Sequence, residues 1–124
     1  MKFTSFSFAA YPVTDVARAR AFYEGVLGLK AGSIWEGDGN SFIEYEIGPD
    51  TLAIGKGSPH FSPGKTGATV ALEVVDFDAS LAELKSKQVK FVMDAYESPV
   101  CNMALVEDPD GNQIMIHRRK AAQQ

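Results

Sequence analysis

The sequence predicts an α+β protein built from two copies of a βαβββ module. A β-type run, an acidic residue and an amphipathic helix occur in this order twice, about 60 residues apart, and three strand-like runs follow each helix. The last of these runs comes after the turn sequence Asp108-Pro109-Asp110-Gly111-Asn112. Asp108 can bond its own backbone and Gly111 can take a positive φ, so this turn favours a closing hairpin.

In the first module, the run that begins at Phe6 leads to Asp15, whose carboxylate can cap a helix. The helix is predicted to end at Gly28, a natural left-handed C-cap. Its apolar side lies at helical spacing and comprises Val16, Ala19, Phe22, Tyr23, Val26 and Leu27. The strand-like runs that follow cover residues 32–36, 41–47 and 51–54, with glycine-rich turns between them.

The second module repeats this plan. Residues 69–75 lead to Asp76 and Asp78, either of which can cap a helix that buries Phe77, Leu81 and Leu84. Gln88 follows this helix where a glycine would be easier. Strands are predicted at residues 89–93, 102–107 and 113–117. Residues 1–124 are thus expected to form one domain, with module 1 at 1–54, a Gly- and Pro-containing connector at 55–67 and module 2 at 68–120.

This arrangement resembles the vicinal-oxygen-chelate superfamily, which includes glyoxalases, extradiol dioxygenases and the bleomycin- and fosfomycin-resistance proteins. The resemblance covers nearly the whole chain. It rests on Pro12-Val13-Thr14-Asp15, on Ala21-Phe22-Tyr23 with Val26-Leu27-Gly28-Leu29, on residues 72–78 and on the turn at 108–112. It implies the glyoxalase/bleomycin-resistance fold, in which two modules form a curved eight-stranded mixed sheet around a cup that holds a small ligand.

Metal-using members of this superfamily place a His, Gln or Glu on the first and on the last strand of each module. Counted from the helix caps and the final turn, these four positions hold Phe8, Ala53, Thr69 and Met115. None of these side chains is a credible ligand for a divalent metal ion, and a shift by one residue finds none either. We therefore expect no metal and no cofactor.

Alternation along the strands predicts which side chains face the cup. Ala9, Tyr11, Val13, Val70, Leu72 and Val74, together with Ile43, Tyr45 and Ile47, should face the helices. The predicted ligand-binding residues are Phe8, Trp35, Phe42, Glu44, Thr69, Glu73, Met103, Met115 and His117, and Ala10, Glu46, Ala71, Val75 and Leu105 are expected on the same side. The lining is mainly apolar, as small-molecule sites tend to be.

Several of these side chains have a second interpretation. Phe8 and Met115 could fill the space that a metal occupies in relatives, and Trp35 could belong to the core or to a dimer interface. Three carboxylates, those of Glu44, Glu46 and Glu73, would raise one another's pKa if buried together, or would instead face solvent or pair with Lys or Arg. The candidate catalytic residues are Glu44, Glu73 and His60, the last of which lies in the connector.

The remaining candidates lie near the end of the chain. His117, beside Arg118, could bind an anionic ligand or simply end a strand. Cys101 is expected to be buried and inert, and residues 96–101 are expected to form a connector that influences ligand choice. The Arg118-Arg119-Lys120 run is expected to be a solvated tail.

Composition narrows the class of protein. The 124 residues carry a net charge of −4, which argues against nucleic acid as a partner. No apolar run is long enough to span a bilayer, and the first residues lack the apolar core of a signal peptide. A single cysteine excludes an internal disulfide and suits the cytoplasm. Exposed sheet edges would be covered in a homodimer.

Two functions therefore remain open. The first is a metal-independent protein that sequesters a small aromatic or cationic compound, as the resemblance to the bleomycin-resistance branch implies. The alternative is an enzyme of the same fold, of the lyase, isomerase, epimerase or dioxygenase type. They differ in whether two titratable groups converge on the ligand site.

Overall fold

The computed structural model describes residues 1–2, 4–57, 62–64 and 68–120. The chain divides into two compact units, Met1–Pro63 and Gly64–Gln124. The boundary falls inside the connector predicted at residues 55–67. Neither helix in the described ranges is long and apolar enough to cross a membrane.

Unit 1 contains one four-stranded sheet and one helix. Its elements are β1 (Ala9–Pro12), α1 (Val16–Arg20), a π-helical turn that continues α1 (Ala21–Val26), β2 (Ala31–Gly37), β3 (Asn40–Ile47) and β4 (Asp50–Lys56). The strand order is β1-β4-β3-β2. Strand β1 pairs with β4 in parallel, and the other two pairs are antiparallel.

Unit 2 has the same topology. Its elements are β5 (Val70–Glu73), α2 (Phe77–Ser86), β6 (Phe91–Glu97), β7 (Cys101–Glu107) and β8 (Gln113–Arg119). The strand order is β5-β8-β7-β6, with β5 parallel to β8. The predicted α+β class with two βαβββ modules is confirmed. The eight strands are hydrogen-bonded as two four-stranded sheets, because every pairing among the described strands joins members of the same module.

The helix of unit 1 begins and ends as its sequence predicts. Asp15 Oδ1 accepts a hydrogen bond from the Arg18 N–H at 3.0 Å, and Gly28 has a φ of 75°. The Leu27 N–H donates to the Phe22 carbonyl at 2.9 Å, five residues back, which is the π-helical spacing. The wider turn still leaves Tyr23 fully buried against the sheet.

The aromatic rings of unit 1 hold this helix on its sheet. The Tyr23 ring stacks on Tyr45 of β3 at a centroid distance of 6.0 Å and lies 6.4 Å from the Tyr11 ring of β1. The Tyr45 hydroxyl donates to Glu24 Oε2 at 2.9 Å, and Arg20 Nε donates to the same oxygen at 2.6 Å. The bond from Arg20 lowers the pKa of Glu24, while burial and the carboxylate raise the pKa of Tyr45. These hydrogen bonds therefore link the helix of unit 1 to strand β3.

In unit 2, Asp76 rather than Asp78 caps the helix. Its Oδ1 accepts from the Ala79 N–H at 3.0 Å. The predicted apolar side is buried, and it consists of Phe77, Leu81 and Leu84. Gln88 after the helix has a φ of 61°, so a residue with a side chain occupies the left-handed position that favours glycine.

The turn at residues 108–112 has the predicted geometry and an additional role. The Asp110 N–H donates to Asp108 Oδ1 at 2.9 Å, and the Gly111 N–H donates to the Asp108 carbonyl at 3.1 Å. Asn112 Nδ2 donates to Asp108 Oδ2 at 2.8 Å, and Asn112 Oδ1 accepts from the Gly64 N–H at 3.1 Å. Both side chains are buried, so the turn also fixes the start of the unit.

Three predicted boundaries were wrong. Strand β4 continues to Lys56, because Gly55 pairs with both Pro12 and Phe42 and so belongs to the sheet rather than to the connector. Strand β6 runs from Phe91 to Glu97 instead of 89–93, since the Val89 N–H still donates to Leu84 at the helix end. Strand β8 continues to Arg119, past the predicted end at residue 117.

The connector expected at residues 96–101 is correspondingly shorter. Tyr96 and Glu97 pair with β7, and Cys101 is the first residue of that strand. Only residues 98–100 link the two strands. The Ser98 N–H donates to the Cys101 carbonyl at 2.9 Å, and Ser98 Oγ accepts from the Cys101 N–H at 3.1 Å. This serine closes a tight turn in place of a long loop.

The strained position after α2 leads to a stability prediction. Replacing Gln88 by Gly should raise the free energy of unfolding by up to about 1 kcal/mol, because glycine has no Cβ penalty at positive φ. Urea unfolding monitored by circular dichroism measures it. Ala82→Gly, in the interior of the same helix, is the matched control and should cost about 0.5–1 kcal/mol. A Gln88→Gly protein that is less stable than the wild type would contradict the strain argument.

Candidate functional site

Each sheet has one face packed on its own helix and an opposite face, which we call the open face. In unit 1, Tyr11, Ile43, Tyr45 and Ile54 are buried on the helix side, as alternation predicts for the first three. Their strand neighbours lie on the open face and form two rows. One row is Pro12, Gly55, Phe42 and Trp35, and the other is Ala10, Ala53, Glu44 and Ser33.

Aromatic side chains dominate the open face of unit 1. The Phe8 and Phe42 rings meet edge to face, with centroids 5.4 Å apart. Trp35 is the direct cross-strand partner of Phe42 and is 56% exposed, so it does not belong to the core of the unit. Phe8 is also about half exposed. These three rings form an accessible aromatic surface.

The two acidic side chains of this face differ in their surroundings. Glu44 is half-buried and lies between Ala53 and Ser33 in the row. Glu46 is exposed and packs against Gly32, where a Cβ would come within 3.2 Å of its Oε2. Gly32 lies at a register shift of β2, so the absence of a side chain there makes room for the Glu46 carboxylate.

The open face of unit 2 carries sulfur, apolar and polar groups. Its helix side buries Ala104, Val106, Ile114 and Ile116. The first row of the open face is Glu73, His117, Met103 and Tyr96, and the second is Ala71, Met115, Leu105 and Met93. The structure therefore brings together four predicted residues of this unit, namely Glu73, Met103, Met115 and His117. Thr69, the fifth, is exposed just before β5.

Glu73 and His117 form the strongest polar contact of this face. His117 Nδ1 lies 2.6 Å from Glu73 Oε1, and Glu73 Oε2 accepts from the Arg119 N–H at 2.7 Å. The Arg118 guanidinium lies 3.8 Å from the same carboxylate and donates to the Val74 carbonyl. The backbone bond from Arg119, then the bond to His117 and the nearby cations, lower the pKa of Glu73. Of the two alternatives that the sequence leaves open for Glu73, this is the one in which the carboxylate is paired rather than buried among other carboxylates.

The strand register gives the neighbours of the positions that hold metal ligands in relatives. Ala53 lies beside Ala10, and Met115 lies beside Ala71, so the neighbours on the first strands have no donor atom either. The Phe8 ring packs edge to face against the Phe42 ring and has no donor atom. No group of three or more His, Cys, Asp or Glu side chains with metal-binding geometry exists within the described residues. These side chains do not fit the superfamily's metal site.

Three further predictions concern residues away from the open faces. Cys101 is buried, and its sulfur lies 3.4 Å from Ser98 Oγ. The run Arg118-Arg119-Lys120 is not a solvated tail, because Arg118 and Arg119 belong to β8 and Lys120 Nζ donates to Glu97 at 2.6 Å. His60 lies outside the described residues.

Sequence reasoning missed two contributors to the open face of unit 2. Tyr96 is 54% exposed and lies next to Met103, but it was assigned to a loop. The Arg119 N–H, a backbone donor, cannot be recognised from residue type. The β-favouring residues Phe91, Val92 and Tyr96 were the available signal for a longer strand.

The chain matches a family model described as the Glyoxalase/Bleomycin resistance protein/Dioxygenase superfamily over residues 5–116. The repeated βαβββ units and the match over most of the chain define the class, and the protein belongs to this superfamily. No curated protein matches the sequence significantly.

Solved structures share the fold. TnmS3, an antibiotic binding protein from Streptomyces sp. CB03234, has a TM-score of 0.82 at 24% identity, over 97% of this chain and 99% of its own. A glyoxalase/bleomycin resistance protein from the same organism gives 0.77 at 24%, over 92% and 100%. The Leishmania major glyoxalase I gives 0.76 at 24%, over 94% and 87%.

The lowered pKa of Glu73 gives a pH prediction. A carboxyl whose folded pKa lies below its ordinary value of 4.5 stabilises the fold above that value, and the contribution is lost as pH falls through the folded pKa. Glu73→Gln should therefore be less stable than the wild type near neutral pH, and the difference should shrink as the pH falls below the ordinary carboxyl pKa of 4.5. Urea unfolding across this range measures it, with Glu36→Gln as control. A difference that grows on acidification would contradict the prediction.

Proposed function

We propose that the protein is a metal-independent small-molecule-binding protein that sequesters a small aromatic or cationic compound. The observation that carries this proposal is the accessible apolar lining of the open faces. Phe8, Trp35 and Phe42 line one of them. Met103 and Met115 line the other, and large exposed apolar surfaces of this kind mark binding sites.

The aromatic and the cationic character of the proposed ligand are supported by different side chains. Aromatic rings pack edge to face or offset on one another, and methionine sulfur makes favourable contacts with ring edges. These preferences favour an aromatic ligand on both open faces. A cationic group would be attracted to the carboxylates of unit 1, Glu44 and Glu46, which lie beside the aromatic row.

Metal independence is supported by the donor set, and small-molecule binding by the fold comparison. Ala10, Ala53, Ala71 and Met115 are the paired residues of the first and last strands of the two units and cannot ligate a divalent cation. TnmS3, which has the same fold, is described as an antibiotic binding protein, and a binding role transfers to this chain only as a proposal.

The alternative is an enzyme of the same fold, and the Glu73–His117 contact favours it. A carboxylate that orients an imidazole is a common arrangement in general acid–base catalysis. A lyase, isomerase or epimerase would use such a pair to move a proton, whereas dioxygenase chemistry would need metal ligands that these positions lack. Turnover of a bound compound that is lost in His117→Gln would select this alternative.

We also propose that the protein is a cytoplasmic homodimer. Strands β1, β2, β5 and β6 are the edges of their sheets, and unpaired edges tend to be covered. Exposed apolar residues lie on two of these strands, namely Ile34 and Trp35 on β2 and Val92 and Tyr96 on β6. The buried, unpaired Cys101 is compatible with a reducing compartment.

The binding proposal predicts hits in a thermal-shift screen of small aromatic compounds. Met115→Glu should weaken binding by about 1–3 kcal/mol, because it places a poorly paired charge on an apolar face. Phe8→His should do the same for compounds that change Trp35 fluorescence. Ala82→Glu, at an exposed position of α2 on the other side of the sheet, is the control and should bind as the wild type does. An empty screen, with Met115→Glu merely melting earlier, would remove the binding proposal.

Metal independence predicts that the purified protein contains no stoichiometric divalent metal. The physical reason is the lack of donor atoms at Phe8, Ala53, Thr69 and Met115. Elemental analysis after gel filtration measures the metal content per chain. About one Zn, Ni, Fe or Mn per chain that resists mild chelation would refute this part of the proposal.

The dimer proposal predicts a solution mass of twice 13.4 kDa. Multi-angle light scattering at tens of micromolar protein measures it. Val92→Lys, which places a charge on an edge strand, should shift the equilibrium toward the monomer if β6 is at the interface. A wild-type mass of a single chain would contradict the proposal.

A further inference from the structure

The imidazole of His117 is held through one of its two ring nitrogens. Nδ1 lies 2.6 Å from Glu73 Oε1, and the carboxylate is further fixed by the Arg119 N–H at 2.7 Å. An ionised carboxylate only accepts hydrogen bonds, so Nδ1 must carry the hydrogen. In the neutral ring this leaves Nε2 as a hydrogen-bond acceptor.

The neighbours of His117 in the strand register of the open face include two methionines. Met103 is the direct cross-strand partner of His117 on β7, and Met115 precedes it by two residues on the same face of β8. Tyr96 lies one strand beyond Met103. Within the described ranges, no buried side-chain nitrogen or oxygen is left without a hydrogen bond, so Nε2 is not sealed inside the unit. The side chain of His117 is 20% exposed.

From this arrangement we infer that His117 Nε2 accepts a hydrogen bond from the hydroxyl group of a phenolic ligand on the open face of unit 2. Glu73 is the positioning residue that holds the ring in the accepting tautomer. The inference rests on the proposed function, since it names the class of compound that the apolar face would take. The two methionines pack against the aromatic ring, and the imidazole selects the hydroxyl.

Two other ligand classes fit this face less well. Both oxygens of Glu73 already accept hydrogen bonds, and Arg118 lies 3.8 Å away, so the carboxylate has little charge to offer a cationic ligand. An anion needs a hydrogen-bond donor, and Nε2 of the neutral ring with hydrogen on Nδ1 offers only an acceptor. A neutral ring with a hydroxyl donor meets neither obstacle and satisfies the free acceptor.

The first test needs no ligand and reads the tautomer of His117 by ¹⁵N NMR above the pH at which the ring is charged. His117→Gln assigns the signals, because the chain has two histidines. The inference expects hydrogen on Nδ1 and none on Nε2 in the wild type, and loss of this preference in Glu73→Ala. Partial restoration in Glu73→Asp would support positioning by the carboxylate. Hydrogen on Nε2 in the wild type would overturn the inference.

The second test compares 2-naphthol with its methyl ether, 2-methoxynaphthalene, which lacks the donor. Wild-type protein should bind the naphthol about tenfold more tightly, the value of one ordinary hydrogen bond. His117→Phe should abolish this preference while still binding the ether, and Gln113→Phe on the same strand should keep it.

The outcomes separate this inference from the proposed function. Equal affinity for the two compounds, unchanged in His117→Phe, would overturn the hydroxyl contact and leave small-molecule binding in place. Failure of both compounds and of the wider aromatic screen to bind would overturn the proposed function and this inference with it. A naphthol preference that His117→Phe does not alter would assign the hydroxyl to another group and would also overturn it.

Discussion

In each unit the first strand pairs in parallel with the last, and this pairing decides which side chains share the open face. A parallel pair needs a crossover, and here a helix supplies its first part while a meander of strands completes it. Glu73 and His117, 44 residues apart in sequence, meet only because β5 lies beside β8 in this register. A slip of β8 by one residue would turn the His117 side chain toward the helix and break this contact.

The two units repeat the backbone but not the chemistry of their open faces. The row Pro12, Gly55, Phe42 and Trp35 in unit 1 corresponds to Glu73, His117, Met103 and Tyr96 in unit 2. The helix sides remain apolar in both, as buried Ile54 and Ile116 show. Packing on the helix constrains one face, and the other is free to carry aromatic rings in one unit and a carboxylate–imidazole pair in the other.

Local features of the chain were predictable because they depend on neighbours in sequence. The caps at Asp15 and Asp76, the left-handed Gly28 and the turn before β8 need only a few adjacent residues. The extension of β6 was missed because its pairing contains register shifts that break the two-residue period. The Glu73–His117 contact and the Arg119 N–H depend on register between distant strands, which residue types do not encode.

The register of the parallel strands also explains why the side chains that could ligate a metal do not lie at the superfamily's metal positions. The metal positions on the two last strands hold Ala53 and Met115, while the titratable pair of unit 2 lies in the next row and is satisfied within its own sheet. A carboxylate whose charge is neutralised by neighbouring groups attracts a divalent ion or a cationic ligand less strongly. What unit 2 presents is therefore one oriented acceptor among apolar groups, and unit 1 presents aromatic rings beside Glu44. A compound with an aromatic body and few charges is therefore the ligand that we propose for these faces.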